Sequence, residues 1–166
     1  MLELRPICEA DANQLFPLVF RSHITDMLVW DGPESLQEYK AAMREREERM
    51  RAGLLHSFAI IHEGAPIGAT HIAPNESHTT GDIGLWIGSQ FQGRGHGTES
   101  IRQLTAIGFE KLKLHRLEAR VFVGNARSRR IFEKNGFNLE GTLRQAVLKR
   151  GKYLDEWILG RIHPES

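Results

Sequence analysis

The sequence predicts an α/β fold in a single domain over residues 1–166, with a mixed, mostly antiparallel twisted sheet of about seven strands flanked by about four helices. Short apolar/polar alternations typical of strands are interleaved with longer segments whose apolar residues recur at helical spacing. Hairpins combined with one strand–helix–strand unit predict that the sheet mixes antiparallel and parallel pairs. A length of 166 residues with 40% hydrophobic and 26% charged residues fits one globular domain.

Four strands and two helices are predicted in the first half of the chain. An alternation over Leu2–Arg5 predicts the first strand, and helical spacing over Glu9–Phe20 predicts a helix that Pro17 should kink or end. A second helix is predicted over Glu34–Ala52, with its charge run at residues 44–49 on a solvated face. Strands follow over residues 55–61, 67–72 and 82–87, the first two as a hairpin.

Two helices and three strands are predicted in the second half. A glycine-rich loop at residues 89–97 leads into a helix over Thr98–Leu112, and a strand over His115–Val123 follows. A short helix over Ala126–Asn135 is closed by a glycine. The last two strands are predicted from Phe137 onward and over Tyr153–Ile162.

Composition excludes several classes of protein. A net charge of +1 gives no reason to expect a nucleic-acid partner, and no apolar run approaches the ~20 residues of a membrane span. One cysteine, Cys8, excludes a disulfide framework, and the eight histidines lack metal-ligand spacing, so no functional metal is expected. Without a basic flank and apolar core at the N-terminus, the sequence predicts a cytoplasmic protein.

The segment Gln92–Thr98 is the most informative motif. Glycines at 93, 95 and 97 permit torsions and close approach that side chains would block, and they stand before a predicted helix. Unpaired N–H groups at a helix start form a cradle for phosphate oxygens. A nucleotide P-loop would need a Lys-Ser/Thr pair, and the dinucleotide fingerprint would need another glycine, so the segment matches neither pattern. A turn without a ligand is the alternative.

This motif, with a second one downstream, resembles the GNAT superfamily of acetyl-CoA-dependent N-acetyltransferases. The family pattern Gln/Arg-x-x-Gly-x-Gly/Ala is matched by Gln92, Gly95 and Gly97. The second motif is Asn125-Ala-Arg-Ser128 followed by Ile131-Phe-Glu-Lys-Asn-Gly-Phe137. The resemblance is greatest to the branch of the RimL and RimJ ribosomal-protein N-terminal acetyltransferases, which polyamine and antibiotic acetyltransferases share. It implies a GNAT-like fold.

The resemblance implies acetyl-CoA as cosubstrate, held at a splay between two strands. The loop would bind the pyrophosphate through its backbone, the pantetheine would pair with the edge of Leu85–Ile87, and the N–H near Ile87 would face the thioester oxygen. The implied cofactor residues are Leu85, Trp86, Ile87, Gln92, Gly93, Arg94, Gly95, His96, Gly97, Thr98, Asn125, Ser128 and Phe132.

The implied chemistry needs a proton donor for the departing thiolate and a base for the amine. Many family members use a tyrosine as donor, but Phe132 stands at that position, so the resemblance points to Ser128 instead. A helix cap is the alternative role for this hydroxyl. Asp82 is the first candidate for the base; the other candidates are His71, Glu76 and His78.

The acceptor amine is expected to bind beneath the loop of residues 23–33, with Trp30 and Asp31 as contacts and the last hairpin as the opposite wall. The implied reaction is direct transfer in a ternary complex to a protein or peptide α-amine. Acetylation of a polyamine or aminoglycoside, or acyl-CoA sensing without catalysis, are the alternatives. The chain is expected to be a monomer or a homodimer.

Overall fold

A computed structural model describes residues 1–165 as a seven-stranded sheet with helices on both faces. The strands are β1 (Leu2–Pro6), β2 (His56–His62), β3 (Ala65–Pro74), β4 (Thr80–Ile87), β5 (Arg116–Phe122), β6 (Asn138–Lys149) and β7 (Lys152–Ile162). Their order in the sheet is β1-β2-β3-β4-β5-β7-β6. Only the β4–β5 pair is parallel among these, which confirms the predicted mixed, mostly antiparallel α/β fold.

The four α-helices are α1 (Ala12–Val19), α2 (Leu36–Arg51), α3 (His96–Ala106) and α4 (Ala126–Lys134). A π-helical turn, Ile107–Lys111, extends α3, so the predicted helix of residues 98–112 changes its winding in its last part. Short 3₁₀ turns lie at Glu9–Asp11, His23–Met27 and Ser89–Phe91.

Two of the differences from the sequence prediction have a cause in packing or strand pairing. The first helix does not end at Pro17 but continues to Val19, because Leu15 and Val19 are fully buried on the face that packs against the sheet. The β3 strand runs from Ala65 to Pro74, longer than predicted, because its antiparallel pairing with β4 continues as far as the Pro74–Gly81 pair.

The sheet separates two apolar layers. On one face, α3 and α4 pack over a cluster that includes Ile72, Ile83, Leu117 and Phe132. On the other face, α1 and α2 cover a second cluster in which Trp86 packs beside Leu15, Tyr39 and Ala59. Since successive side chains of a strand point to opposite faces, neighbouring residues of β4 contribute to both layers.

The strands β4 and β5 diverge after a short parallel contact. Their paired residues are Thr80–Asp82 on β4 and Arg116–Glu118 on β5. Beyond Asp82, the segment Ile83–Ile87 remains paired with β3 but has no partner on its β5 side. The result is a wedge-shaped gap in the middle of the sheet.

Candidate active site

Backbone groups of β4 line the gap. The Gly88 N–H donates to Ile67 O at 2.8 Å, and Gly84 O accepts from the Thr70 hydroxyl at 2.7 Å. The backbone N–H and C=O groups of the even-numbered residues 84–88 therefore point toward β3. Because adjacent peptide units alternate in direction along a strand, Leu85 and Ile87 present their N–H groups to the gap. An extended polar chain could therefore pair with this edge as an added strand.

A cavity of about 550 Å³, hereafter the cofactor cavity, opens at the wide end of the gap. Most of the predicted cofactor residues line it: Leu85, Trp86, Ile87, Gln92, Gly93, Gly95, Gly97, Thr98, Asn125, Ser128 and Phe132. Two predicted residues do not line it. The Arg94 side chain is exposed, and the His96 ring lies 4.3 Å from the His62 ring, centroid to centroid.

The glycine loop presents its backbone to this cavity. Gly93 and Gly95 have φ angles of +74° and +84°, and Gly95 precedes α3 without supplying a side-chain cap. The N–H groups of the first turn of α3, including those of Gly97 and Thr98, have no intrahelical partner. Together with the helix dipole they make a cradle whose groups suit an anion. Gly97 has a second reason to be glycine, since a Cβ there would lie 2.6 Å from Ile131 Cδ1 of α4.

Gln92 holds the loop in place. Its Nε2 donates to Ile87 O at 2.9 Å, and its Oε1 accepts from Arg127 at 2.6 Å. These two bonds connect the end of β4, the glycine loop and the start of α4. Both ends of the Gln92 side chain are therefore occupied, and the residue supports the shape of the cradle.

Sequence reasoning missed the cations of this cavity. Arg130 and Lys134 line it, lie one turn apart on α4, and make no ion pair among residues 1–165. Arg120 and Arg127 also line it. Cations next to a phosphate cradle suit an anionic ligand. In the sequence, the i, i+4 spacing of Arg130 and Lys134 is the feature that places these two cations on one face of a helix.

Ser128 is not the cap of α4. The Asn125 side chain occupies that role, because its Oδ1 accepts from the Ser128 N–H at 3.2 Å. The alternative that assigned the Ser128 hydroxyl to helix capping is therefore wrong. That hydroxyl lines the cofactor cavity and makes no hydrogen bond to the described residues, so it is available to a ligand.

Phe132 forms part of the cavity floor. Its side chain is 2% exposed and packs edge-on against Phe137, with ring centroids 5.4 Å apart. A phenyl ring in this position supplies apolar contact and has no proton to donate.

A second cavity of about 490 Å³, hereafter the acceptor cavity, lies on the α1/α2 face of the sheet. The two cavities share seven lining residues, so they meet at the unpaired edge of β4; the shared residues are Met27, Leu28, Ile83, Gly84, Leu85, Trp86 and Arg120. Asp82, His71 and Trp30 line the acceptor cavity. Glu76 and His78 lie in the exposed turn between β3 and β4 and line neither cavity.

Asp82 lines the acceptor cavity together with Glu156 and Arg120. The residue is exposed, so water can reach its carboxylate. Desolvation, followed by the charge of Glu118, raises the pKa of Asp82 to about 6 against the opposing charge of Arg120, and the charge of Glu156 adds to the rise. A carboxylate with this pKa is ionised at neutral pH and still basic enough to accept a proton.

His71 is a weaker base in the same cavity. Burial, followed by the charges of Arg46 and Arg49, lowers the pKa of its imidazole to about 4. The ring is therefore neutral at pH 7. Gly84 makes room for it, since a Cβ at that position would lie 2.8 Å from His71 Cε1.

Trp30 and Asp31 have different positions. The Trp30 ring lies between those of Tyr39 and Trp86, with centroid distances of 5.9 and 6.4 Å, and forms a wall of the acceptor cavity. Asp31 does not line it; its carboxylate accepts from the buried Lys149 at 2.7 Å. This contact fixes the loop of residues 23–33 to the β6–β7 hairpin. From that hairpin, Glu156 reaches the acceptor cavity.

Three further observations concern features outside the two cavities. Cys8 lies beside Asp11 and lines neither cavity. Within residues 1–165, no three His, Cys, Asp or Glu side chains group as metal ligands. No helix in the same range has the length and apolar character to cross a membrane.

The glycine loop yields a test with a matched control. Gly95→Val should weaken acetyl-CoA binding at least tenfold, because the branched side chain forces the cradle out of its left-handed conformation. Gly53→Val is the control: Gly53 has a φ of +72°, no atom within 4 Å of its Cβ position, and no place in either cavity. Both variants should lose about 1–2 kcal/mol of stability. Calorimetry showing equal affinity in the two variants would contradict the assignment.

Comparisons with known proteins give a family and several relatives. Residues 1–138 match the description of an acetyltransferase (GNAT) domain. The chain is 32% identical over 89 residues to the L-amino acid N-acetyltransferase AaaT of Escherichia coli, covering 54% of each chain. It is 26% identical over 165 residues to the ribosomal-protein-serine acetyltransferase of Escherichia coli, covering 97% of this chain and 92% of that one.

A solved structure extends the comparison. RimL, a ribosomal alpha-N-protein acetyltransferase in complex with coenzyme A, superposes with a TM-score of 0.90 at 25% identity. The match covers 97% of this chain and 93% of the RimL chain. Among the curated relatives, by contrast, the first two are matched over about half of their length, 54% and 48%.

Proposed function

Since the chain belongs to the GNAT acetyltransferase family, we propose that it acetylates the α-amine of a peptide or protein by direct transfer from acetyl-CoA in a ternary complex. One observation carries the proposal: the phosphate cradle and the recess with Asp82 open onto the same unpaired edge of β4. An acyl donor on one face and an amine on the other would meet there without an enzyme-bound intermediate.

The residues of the cofactor cavity fit acetyl-CoA. The free N–H groups at the start of α3 suit the pyrophosphate, Arg130 and Lys134 offer cations for phosphate, and Leu85 and Ile87 offer backbone partners for pantetheine amides. When bound, this cosubstrate supplies an activated acetyl thioester. A backbone N–H of β4 that faces the thioester oxygen would stabilise developing negative charge.

Proton movement is assigned to two side chains. Asp82 would take a proton from the acceptor amine, directly or through one water, because its carboxylate is ionised at neutral pH and reachable by solvent. The Ser128 hydroxyl would donate to the departing thiolate, since it lines the cofactor cavity and has no other partner among the described residues.

An α-amine is the acceptor that this base serves best. A peptide α-amine has a pKa near 8 and a lysine side chain one near 10.4, so an α-amine loses its proton far more readily near neutral pH. A carboxylate with a pKa of about 6 can take the proton of an α-amine, but it is poorly matched to the more basic amine of a lysine side chain. The alignment with ribosomal-protein-serine acetyltransferase over nearly the whole chain supports this choice.

An acceptor screen tests the proposal. With acetyl-CoA present, release of coenzyme A is expected to be faster with short peptides that carry a free N-terminus than with spermidine, an aminoglycoside or Nα-blocked lysine. The same peptides with a blocked N-terminus are the control and should give no turnover. Turnover restricted to spermidine or the aminoglycoside would establish the small-amine alternative, and binding of acetyl-CoA without any amine-dependent release would establish a sensor.

A further inference from the structure

Arg46 lies in the wall of the acceptor cavity without an acidic partner. The run of residues 44–49 was expected to be solvated, but Arg46 is half-buried on the same stripe of α2 as Tyr39 and Met43. Its guanidinium donates to the Ser57 hydroxyl at 3.0 Å and makes no ion pair with a carboxylate among residues 1–165. Removing a charge from water without a counter-charge is unfavourable, so a bound anion would be stabilised here.

Neighbouring groups add donors to this recess. The Tyr39 hydroxyl is buried and has no hydrogen-bond partner among residues 1–165, and the residue itself is 4% exposed. The neutral His71 ring has one N–H to donate, and it lines the same cavity. The two carboxylates that line the cavity lie away from the α2 donors, because Asp82 belongs to β4 and Glu156 to β7. The acceptor cavity therefore has a cationic, donor-rich end at α2 and an end of mixed charge at the gap, where Arg120 accompanies the two carboxylates.

We infer that the recess formed by Arg46, Tyr39 and His71 binds a carboxylate of the acceptor, and that acceptors carrying an anionic group about 10 Å from their amine are preferred. The spacing is taken from Arg46, which donates to Ser57, because Ser57, His71 and Gly84 are neighbours across three adjacent strands and Ser57 therefore lies two strands from β4. Two interstrand spacings amount to about 9–10 Å. The inference rests on the proposed function, because it places the amine at the β4 edge.

Two sources could supply the carboxylate. One is an acidic side chain at the second position of a peptide or protein N-terminus, and the other is the C-terminal carboxylate of a tripeptide. The tetrapeptide Ser-Glu-Ala-Ala amide and its Ser-Gln-Ala-Ala counterpart test the first source. The tripeptide Ser-Ala-Ala and its amide test the second source, and a preference for the acid form in either pair supports the recess.

The kinetic test combines these acceptors with variants of the arginine. Wild-type kcat/KM should be roughly 10- to 100-fold higher for the acidic member of a pair, the range expected for hydrogen bonds to a charged group. Arg46→Gln should remove this preference mainly through KM, and Arg46→Lys should restore part of it. Arg49→Gln is the matched control, because Arg49 is an exposed arginine on the same helix that lines neither cavity, and it should keep the preference.

Two measurements distinguish binding of a carboxylate by Arg46 from a purely structural role of its side chain. Calorimetry with N-acetyl-Ser-Glu-Ala-Ala amide needs no turnover, so loss of its binding in Arg46→Gln supports the recess even if the proposed reaction fails. The melting temperature of Arg46→Gln should be unchanged or higher, since an unpaired charge is removed. Equal kcat/KM within both acceptor pairs, or a lower melting temperature with the preference retained, would overturn the inference.

Discussion

Replacing Asp82 with asparagine is expected to lower kcat/KM for a peptide α-amine about 10²–10⁴-fold at pH 7 to 8, the range associated with a lost general base. The amide has the size of the carboxylate but cannot accept the proton of the amine. The backbone pairing of Asp82 with β3 and β5 does not involve its side chain. The fold and the acetyl-CoA affinity should therefore be retained, and calorimetry can check the affinity.

The pH profile identifies the base more specifically than the rate alone. Asp82 must be ionised to act, and its raised pKa of about 6 means that activity is lost as the pH falls through 6. The acceptor amine must also be neutral, so kcat/KM also falls as the pH drops below the pKa of the amine, which is near 8. Log kcat/KM should rise with a slope of two below pH 6 and a slope of one between 6 and 8. Asp82→Asn should keep only the slope of one.

Glu118→Gln is the control for this profile. Glu118 is the register partner of Asp82 on β5 and accepts from Arg116 at 3.1 Å, but it does not line the acceptor cavity. Its negative charge raises the pKa of Asp82, so its removal should move the lower limb to a more acidic pH without abolishing it. An Asp82→Asn enzyme that keeps both limbs would direct attention to His71.

The parts of the site that could be predicted from sequence are those encoded locally. The glycine loop is one, because positive φ angles at Gly93 and Gly95 and an adjacent helix start are properties of a short segment. The unpaired edge of β4 was expected only through the family resemblance. Nothing in the residues of β4 or β5 themselves shows that their pairing stops at Asp82 and Glu118.

Features that depend on contacts between distant segments were missed. Arg46 belongs to a mixed-charge run, and only the packing of α2 over β2 and β3 shows that this arginine is the one turned into a cavity. The sequence predicts Asp31 as an acceptor contact, whereas its carboxylate pairs with Lys149, which is 118 positions away. Asn125 and Ser128 are both good capping residues, and sequence alone cannot decide between them.

Because Asn125 caps α4 and the Ser128 hydroxyl faces the cavity, substitution of the first should lower stability and substitution of the second should lower the rate. Ser128→Ala should lower kcat about 10²–10⁴-fold, as expected for loss of a general acid, with an unchanged melting temperature and acetyl-CoA affinity. Asn125→Ala removes the hydrogen bond from the Ser128 N–H to the cap, and should cost about 1 kcal/mol of stability. Thermal unfolding and steady-state kinetics on both variants measure the two effects separately. If Ser128→Ala turned over at the wild-type rate, the departing thiolate would need no proton from this side chain, and water would be the donor.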